Sequence, residues 1–254
     1  MKQSFSWWCF QNRGVDDATL LKQAREIGYS AVELIPADKF DAALDAGLTI
    51  ASHVGHESIS AGLNDPANHD RIEREILENI KLASKYSIPN LVVFSGDRRA
   101  GLSEAGGSEF TAAGLRRMAG AAEDAGVTLI LEFLNSKVDH PGYQADRMPW
   151  IAGVIEAVGS PNVKALYDIY HAQIMEGDLI RTIRAQHKYI GHYHTAGNPG
   201  RNDLDDTQEI FYPPIFRAIA ETGYDGYIGH EFIPKADPLA ALKAAYDLTE
   251  SSSH

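Results

Sequence analysis

Residues 125–131 read AGVTLIL, and this stretch holds the local pattern that decides the fold. A glycine follows the end of a helical pattern, and an apolar run begins directly after it. Glycine readily adopts the left-handed conformation that ends a helix. The same pattern recurs in GYSAVEL (28–34), AGLTIAS (46–52) and GYDGYIG (223–229). The repetition predicts a chain built from repeated strand and helix units.

Around this stretch, eight short apolar runs alternate with longer amphipathic segments. The predicted strands are 5–10, 31–34, 49–53, 91–94, 128–134, 163–167, 189–194 and 226–231. The predicted helices are 16–27, 38–46, 70–86, 108–125, 146–158, 178–186, 212–222 and 238–249. Eight such units in 254 residues predict an α/β protein with a (β/α)8 TIM-barrel fold, as a single domain over residues 1–254. An open dinucleotide-binding sheet is disfavoured because no G-x-G-x-x-G follows the first strand.

The net charge of the chain limits which partners can be expected. Acidic residues outnumber basic ones by 35 to 23, for a formal net charge of −12. Such a charge repels a phosphate backbone, so nucleic acid is not an expected partner. Cys9 is the only cysteine and cannot form an intrachain disulfide, so we predict a buried packing residue rather than a nucleophile.

Hydropathy along the chain predicts no association with a membrane. No apolar run reaches the roughly 18 residues that a membrane span needs, and the first residues do not form a signal-peptide core. We therefore expect a cytoplasmic protein. The tail at 251–254, SSSH, is expected to be a frayed end or an artificial extension.

Four predicted strands end in a residue that can bind metal. Catalytic residues of barrel enzymes lie at the carboxyl ends of the strands. The four candidate ligands lie at or near the carboxyl ends of the last four strands and are Glu132, Asp168, His194 and Glu231. Three carboxylates meeting there would repel one another without a cation. Oxygen ligands with a single imidazole favour Mn²⁺, Mg²⁺ or Co²⁺ over a structural zinc. A helix cap or an arginine partner remains the alternative for each carboxylate taken alone.

Several other residues are weaker candidates. His171, Arg201 and His53 are predicted to contact substrate, against the alternatives of packing or solvated positions. Those considered with less support are His56, His192, Trp7, Trp8, Arg98 and Arg99. The glycine-rich stretch 101–107 is predicted to be a flexible loop or a mobile lid.

Three stretches carry a family resemblance. NVKALYDIYHAQIMEGD (162–178), YIGHYHTAGNPGRND (189–203) and GYDGYIGHEFIP (223–234) resemble the hydroxypyruvate isomerase group of the xylose-isomerase-like barrels, as does the segment around LEFLN (131–135). The resemblance implies a divalent metal on the four residues named above, and substrate contacts from His171 and Arg201. The position of His194 is typically Gln in hydroxypyruvate isomerases and His in ketose 3-epimerases. The epimerases usually carry a further Glu where this sequence has Val138.

The resemblance implies an aldose–ketose isomerase. The expected substrate is a small hydroxy-oxo acid or sugar, such as hydroxypyruvate or tartronate semialdehyde, that reacts through an enediolate. Glu132 and Glu231 would then move the proton. Alternatives are a ketose 3-epimerase, a dehydratase of a cyclic hydroxy acid, a non-catalytic sugar-binding barrel and, more remotely, a metal-dependent abasic-site endonuclease. Barrels of this group commonly associate, so a homo-oligomer is also considered.

Overall fold

The computed structural model describes residues 1–252. The strands are β1 (Lys2–Ser6), β2 (Ala31–Glu33), β3 (Thr49–Ile50), β4 (Ser52–Val54), β5 (Asn90–Val93), β6 (Thr128–Glu132), β7 (Val163–Asp168), β8 (Ile190–Thr195) and β9 (Tyr227–His230). The helices are α1 (Trp7–Phe10), α2 (Asp17–Ile27), α3 (Phe40–Asp45), α4 (His69–Tyr86), α5 (Glu104–Ala125), α6 (Met148–Val158), α7 (Ile169–Met175), α8 (Leu179–Gln186), α9 (Tyr212–Glu221) and α10 (Pro238–Ser252). Short 3-10 turns cover Ala37–Lys39, Pro66–Asn68 and His187–Tyr189.

The described chain forms two compact units. Among the described residues, the first unit contains 1–51, 178–187 and 193–252, and the second contains 52–177 and 188–192. Strand β8 begins in the second unit and ends in the first. That the chain forms a single domain stays a prediction.

In the first unit, parallel strands follow the order β3-β2-β1-β9 and then the end of β8. Helix α10 packs against α2 and α9, and α8 packs against α9. Buried aromatic rings fill the space beneath β1 with edge-to-face contacts, notably Phe5 with Phe10 and Tyr29. This packing fixes the strands whose carboxyl ends carry His194 and Glu231.

In the second unit, parallel strands follow the order β4-β5-β6-β7. Helix α5 packs between α4 and α6. Glu132, the last residue of β6, pairs in register with Leu166, so it lies beside the end of β7. Parallel strands place their carboxyl ends at one edge of the sheet, which brings Glu132 and Asp168 to the same edge.

The predicted position of the first strand is wrong. It was expected over 5–10, but β1 ends at Ser6 and Trp7 begins α1, whose first turn closes when the Gln11 amide donates to the Trp7 carbonyl. Aromatic residues favour strands, which explains the error. The third predicted strand is divided at Ala51 into β3 and β4.

Two helices also differ from the prediction. Helix α7 was not predicted, because the strand-closing residue Asp168 also caps this helix by accepting from the His171 amide. Helix α5 begins at Glu104 after its cap Ser103, so Gly106 and Gly107 belong to a helix rather than to the predicted loop. Ser251 and Ser252 continue α10, which contradicts the predicted frayed end there, and 253–254 lie outside the described residues.

Candidate active site

The four predicted metal ligands are buried at or just after the ends of strands β6 to β9. Glu132 and Asp168 are the last residues of β6 and β7. His194 is the last but one residue of β8, and Glu231 directly follows β9. Their exposed fractions are 6%, 0%, 0% and 3% in that order. Glu132 and Asp168 belong to the second unit, and His194 and Glu231 belong to the first.

In the second unit, Glu132 and Asp168 form a buried carboxylate pair. Each offers an oxygen within 4.8 Å of the other. Two buried like charges at this separation disfavour joint ionisation unless a cation lies beside them. Hard oxygen donors suit Mg²⁺ and Mn²⁺. The pair therefore fits the predicted divalent metal.

His171 lies beside this pair, on α7. Its Nε2 is 3.7 Å from Asp168 Oδ2, and its backbone amide donates to Asp168 Oδ1 at 3.1 Å. The Asn135 side chain lies 2.6 Å from His171 Nδ1 through its Nδ2. The amides of Val138 and Asp139 both donate to Asn135 Oδ1, which fixes Nδ2 as the group facing the imidazole. His171 Nδ1 is then the acceptor, and Nε2 carries the proton.

In the first unit, His194 and Glu231 are in direct contact. His194 Nδ1 lies 3.0 Å from Glu231 Oε2. Burial lowers the pKa of His194, but the Glu231 and Glu33 carboxylates outweigh it and raise that pKa well above its usual value. Burial raises the pKa of Glu231, but His194 and Arg201 outweigh it and hold that pKa below its usual range. The two carboxylates on either side of His194 therefore favour its protonated form.

The same N–O separation fits a shared metal. Two ligand atoms at about 2.1 Å from one ion, at a right angle, lie about 3.0 Å apart. Deprotonated His194 and Glu231 could therefore hold a divalent ion without a large movement. The two side chains can therefore share a proton when no metal is bound, and can bind a metal when His194 is deprotonated.

Glu231 receives three further contacts. Its Oε1 accepts from the Ser6 hydroxyl at 3.2 Å and from the Trp8 indole at 2.9 Å. Its Oε2 binds the guanidinium of Arg201, which also lies 5.4 Å from the centre of the Trp8 ring. These contacts fix the orientation of the carboxylate.

Arg201 has a strained backbone. Its φ is +55°, a conformation that few non-glycine residues adopt. Its carbonyl accepts from the Ile233 amide at 2.7 Å, and its Nε donates to the Glu231 carbonyl. The side chain remains 15% exposed. Strain of this kind concentrates at functional sites.

Glu33 was missed by the sequence analysis. It is fully buried at the end of β2, and its Oε2 lies 3.2 Å from His194 Nε2. The Ser4 hydroxyl donates to its Oε1 at 2.8 Å. The only signal in the sequence was an acidic residue inside the apolar run AVEL (31–34).

The remaining candidates lie in varied surroundings. His53 is in the middle of β4, opposite Leu91, and burial lowers its pKa. His192 is fully buried on β8, and Cys9 is buried as predicted. Trp7 is fully buried, whereas Trp8 is 40% exposed.

The two arginines of the loop after β5 are held by ion pairs. Arg98 binds both oxygens of Asp146, at 3.0 and 2.9 Å, and also Glu104. Arg99 lies 3.0 Å from Asp65. Arg98, a weaker candidate from the sequence, thus joins the loop to Asp146.

Comparison with known proteins identifies the family to which this fold and site belong. The family model described as xylose isomerase-like TIM barrel matches residues 21–251, and the chain belongs to this family. The predicted α/β barrel fold is therefore confirmed. A crystal structure described as an AP endonuclease, family 2, from Brucella melitensis is similar with a TM-score of 0.84 and 26% identity, covering 95% of this chain and 97% of that one.

Two relatives show which members of this family the chain resembles. The chain is 39% identical over 124 residues to a 2-oxo-tetronate isomerase of Cupriavidus necator, covering 49% of this chain and 47% of the relative. It is 33% identical over 128 residues to a putative hydroxypyruvate isomerase of Homo sapiens, covering 50% and 46%. The chain thus spans about half the length of these two relatives. The predicted resemblance to hydroxypyruvate isomerases is confirmed.

Among residues 1–252, no helix combines the length and apolar character that a membrane crossing requires.

Proposed function

We propose that this protein is a metal-dependent isomerase of small hydroxy-oxo acids. Glu132, Asp168, His194 and Glu231 are proposed to hold one divalent ion, which would be Mn²⁺, Mg²⁺ or Co²⁺. The observation that carries the proposal is the buried carboxylate pair of Glu132 and Asp168, with oxygens within 4.8 Å of each other. Membership of the xylose isomerase-like family supports it.

Glu132 and Glu231 are the proposed proton-transfer groups. A divalent ion supplies electrostatic stabilisation for the negative charge that develops on an enediolate. One glutamate removes the carbon-bound proton and the other returns a proton to the neighbouring carbon, while the hydroxyl proton passes to the former carbonyl oxygen. Ser6 and Trp8 donate to Glu231 Oε1 and leave that carboxylate little freedom to rotate. A fixed carboxylate is the arrangement that proton transfer to one carbon requires.

Arg201 and His171 are proposed to orient the substrate. The partly exposed Arg201 guanidinium lies at Glu231 and provides donors for a substrate carboxylate. His171 presents Nε2 as a donor because Asn135 occupies Nδ1. A hydroxyl or carbonyl oxygen of the substrate would accept from it. His53 is a further proposed substrate contact.

The decisive experiment is an isomerase assay on metal-stripped protein to which Mn²⁺, Mg²⁺ or Co²⁺ is returned. Substrates would be hydroxypyruvate, tartronate semialdehyde, 2-oxo-tetronate and free ketoses of four to six carbons. We expect metal-restored turnover of an oxo acid. Turnover without metal, or no turnover of any oxo acid, would contradict the proposal.

Solvent exchange tests the proton-transfer route separately. Isomerisation in D2O should place deuterium in the product, because the abstracted proton exchanges with water on a carboxylate. Fully unlabelled product would replace the enediolate route with a hydride shift.

A ketose 3-epimerase is the second candidate. His194 favours this activity, because ketose 3-epimerases typically have His at the corresponding position. Val138, which replaces a glutamate of the epimerases, is 64% exposed and stands against it. Turnover of free ketoses alone would move the assignment to this activity.

Other classes receive less support. A non-catalytic sugar-binding barrel would keep its biological effect in Glu132→Gln, whereas an enzyme would lose turnover. DNA is disfavoured as a partner by the net charge of −12. The cytoplasmic location and a homo-oligomer stay predictions.

A further inference from the structure

We propose that Glu33 is a positioning residue that sets the tautomer and orientation of His194 for metal binding. The inference rests on the proposed function, because it concerns the same metal site. Glu33 and His194 are both fully buried, and Glu33 Oε2 is 3.2 Å from His194 Nε2.

The hydrogen-bonding roles follow from chemistry. An ionised carboxylate has no proton to donate, so His194 Nε2 donates and Glu33 accepts. In the neutral imidazole the other nitrogen, Nδ1, then carries the lone pair. Nδ1 is the atom that lies 3.0 Å from Glu231 Oε2. Glu33 thus directs the metal-binding lone pair toward Glu231.

Two small residues make this contact possible. Strand order in the first unit separates β2 from β8 by β1 and β9. Ser4 on β1 and Gly229 on β9 are paired in register, and His194 pairs with Gly229. A methyl group added at Gly229 would lie 1.9 Å from Glu33 Oε1 and 2.8 Å from His194 Cδ2. The absence of a side chain at 229 is what lets the two groups meet.

Ser4 completes the arrangement from the other side. Its hydroxyl donates to Glu33 Oε1 at 2.8 Å. One oxygen of Glu33 therefore accepts from Ser4, and the other lies at the His194 imidazole. Metal-binding histidines commonly rely on such a carboxylate, and its loss typically costs about 10- to 100-fold in metal affinity.

The test measures Mn²⁺ affinity by titration calorimetry, independently of activity, for the full-length protein and four variants. We expect Glu33→Ala to bind Mn²⁺ about 10- to 100-fold more weakly. Glu33→Gln keeps an acceptor for Nε2 and should lose less. Gly229→Ala retains Glu33 but displaces its carboxylate, and should also bind more weakly.

Asp146→Asn is the matched control, because it alters a buried carboxylate of the other unit, where Asp146 pairs with Arg98. It should bind Mn²⁺ as the wild type does. The absorption spectrum of bound Co²⁺ should shift in Glu33→Gln and stay unchanged in Asp146→Asn.

The outcomes separate the two proposals. Absence of Mn²⁺ binding by the wild type would overturn the proposed function itself. Wild-type binding with undiminished affinity in folded Glu33→Ala would overturn the role of Glu33 alone. An equal loss in Glu33→Ala and Asp146→Asn would also overturn that role, since it would reflect general destabilisation.

Discussion

The indole Nε1–H of Trp8 donates a hydrogen bond to Oε1 of Glu231 at 2.9 Å. Trp8 is at the same time 40% exposed, although it belongs to the four-residue helix that follows the first strand. A large exposed aromatic ring at a buried carboxylate is consistent with a wall of the proposed substrate site. The contact also lowers the pKa of Glu231.

Trp8→Phe removes this donor while keeping an aromatic ring. A hydrogen bond to a charged group contributes about 1.5–3 kcal/mol, so we expect kcat to fall at least about tenfold. Loss of a donor to the ionised carboxylate raises its pKa, so the acidic limb of the pH–rate profile should move to higher pH. The control is Trp7→Phe, whose indole donates to Gln11 instead. Equal profiles for both variants would contradict the role of Trp8.

Asn135→Asp should change the tautomer of His171. The amide that donates to Nδ1 becomes a carboxylate, which requires a proton on Nδ1 instead. Nitrogen-15 NMR would detect the change, and kcat/KM should fall about tenfold or more through the loss of one oriented hydrogen bond. An unchanged Nε2–H tautomer would show that Asn135 does not control the imidazole.

Glu132→Gln should weaken metal binding without lowering the stability of the metal-free protein. In excess EDTA the variant relieves the repulsion between Glu132 and Asp168, so its Tm should match or exceed that of the wild type. Saturating Mn²⁺ at about 100 times Kd should stabilise the wild type by about 2.7 kcal/mol. For a domain of this size, each kcal/mol shifts Tm by about 2–4 °C. A variant stabilised by Mn²⁺ as strongly as the wild type would exclude Glu132 as a ligand.

Acid should destabilise the protein in part through His56. Burial lowers the pKa of this histidine from 6.5 to about 4, while its Nε2 accepts from the Phe94 amide. Because the folded pKa lies below the unfolded value, its contribution is complete above pH about 6.5 and is lost as pH falls toward 4. The loss reaches about 2 kcal/mol between pH 6.5 and 5.

Urea unfolding of His56→Gln tests this assignment. Glutamine can still accept from the Phe94 amide but does not titrate. The variant should therefore lose about 2 kcal/mol less than the wild type over the same pH interval. His230, whose pKa burial lowers to about 3, is unchanged in both proteins and contributes equally. Parallel pH curves would assign the acid sensitivity to other groups.

The candidate ligands could be predicted because each one interrupts or closes an apolar run. Asp168 and Glu231 stand out in VKALYD and GYIGHE since a charge there is costly unless it is paired or bound to a cation. Alternating strand geometry and the known location of barrel active sites then gave the expected grouping. No long-range contact had to be known in advance.

Glu33 could not be predicted in the same way. It lies on the second strand, apart from the last four strands that supplied the candidates, and its partner His194 is 161 residues away in sequence. The space for their contact depends on Ser4 and Gly229, whose small size carries no such meaning in the sequence alone. Helix α1 was missed for a different reason, because WWCF has the composition of a strand.

The double role of Asp168 limits how this site can be redesigned. Its Oδ1 caps the short helix that carries His171, while the same carboxylate lies beside Glu132. Replacing it with a softer donor to recruit another metal would also remove the cap of that helix, and would disturb the imidazole that is proposed to contact substrate. In the proposed site, the choice of metal and the contact with substrate therefore both depend on this one carboxylate, and neither can be changed there alone.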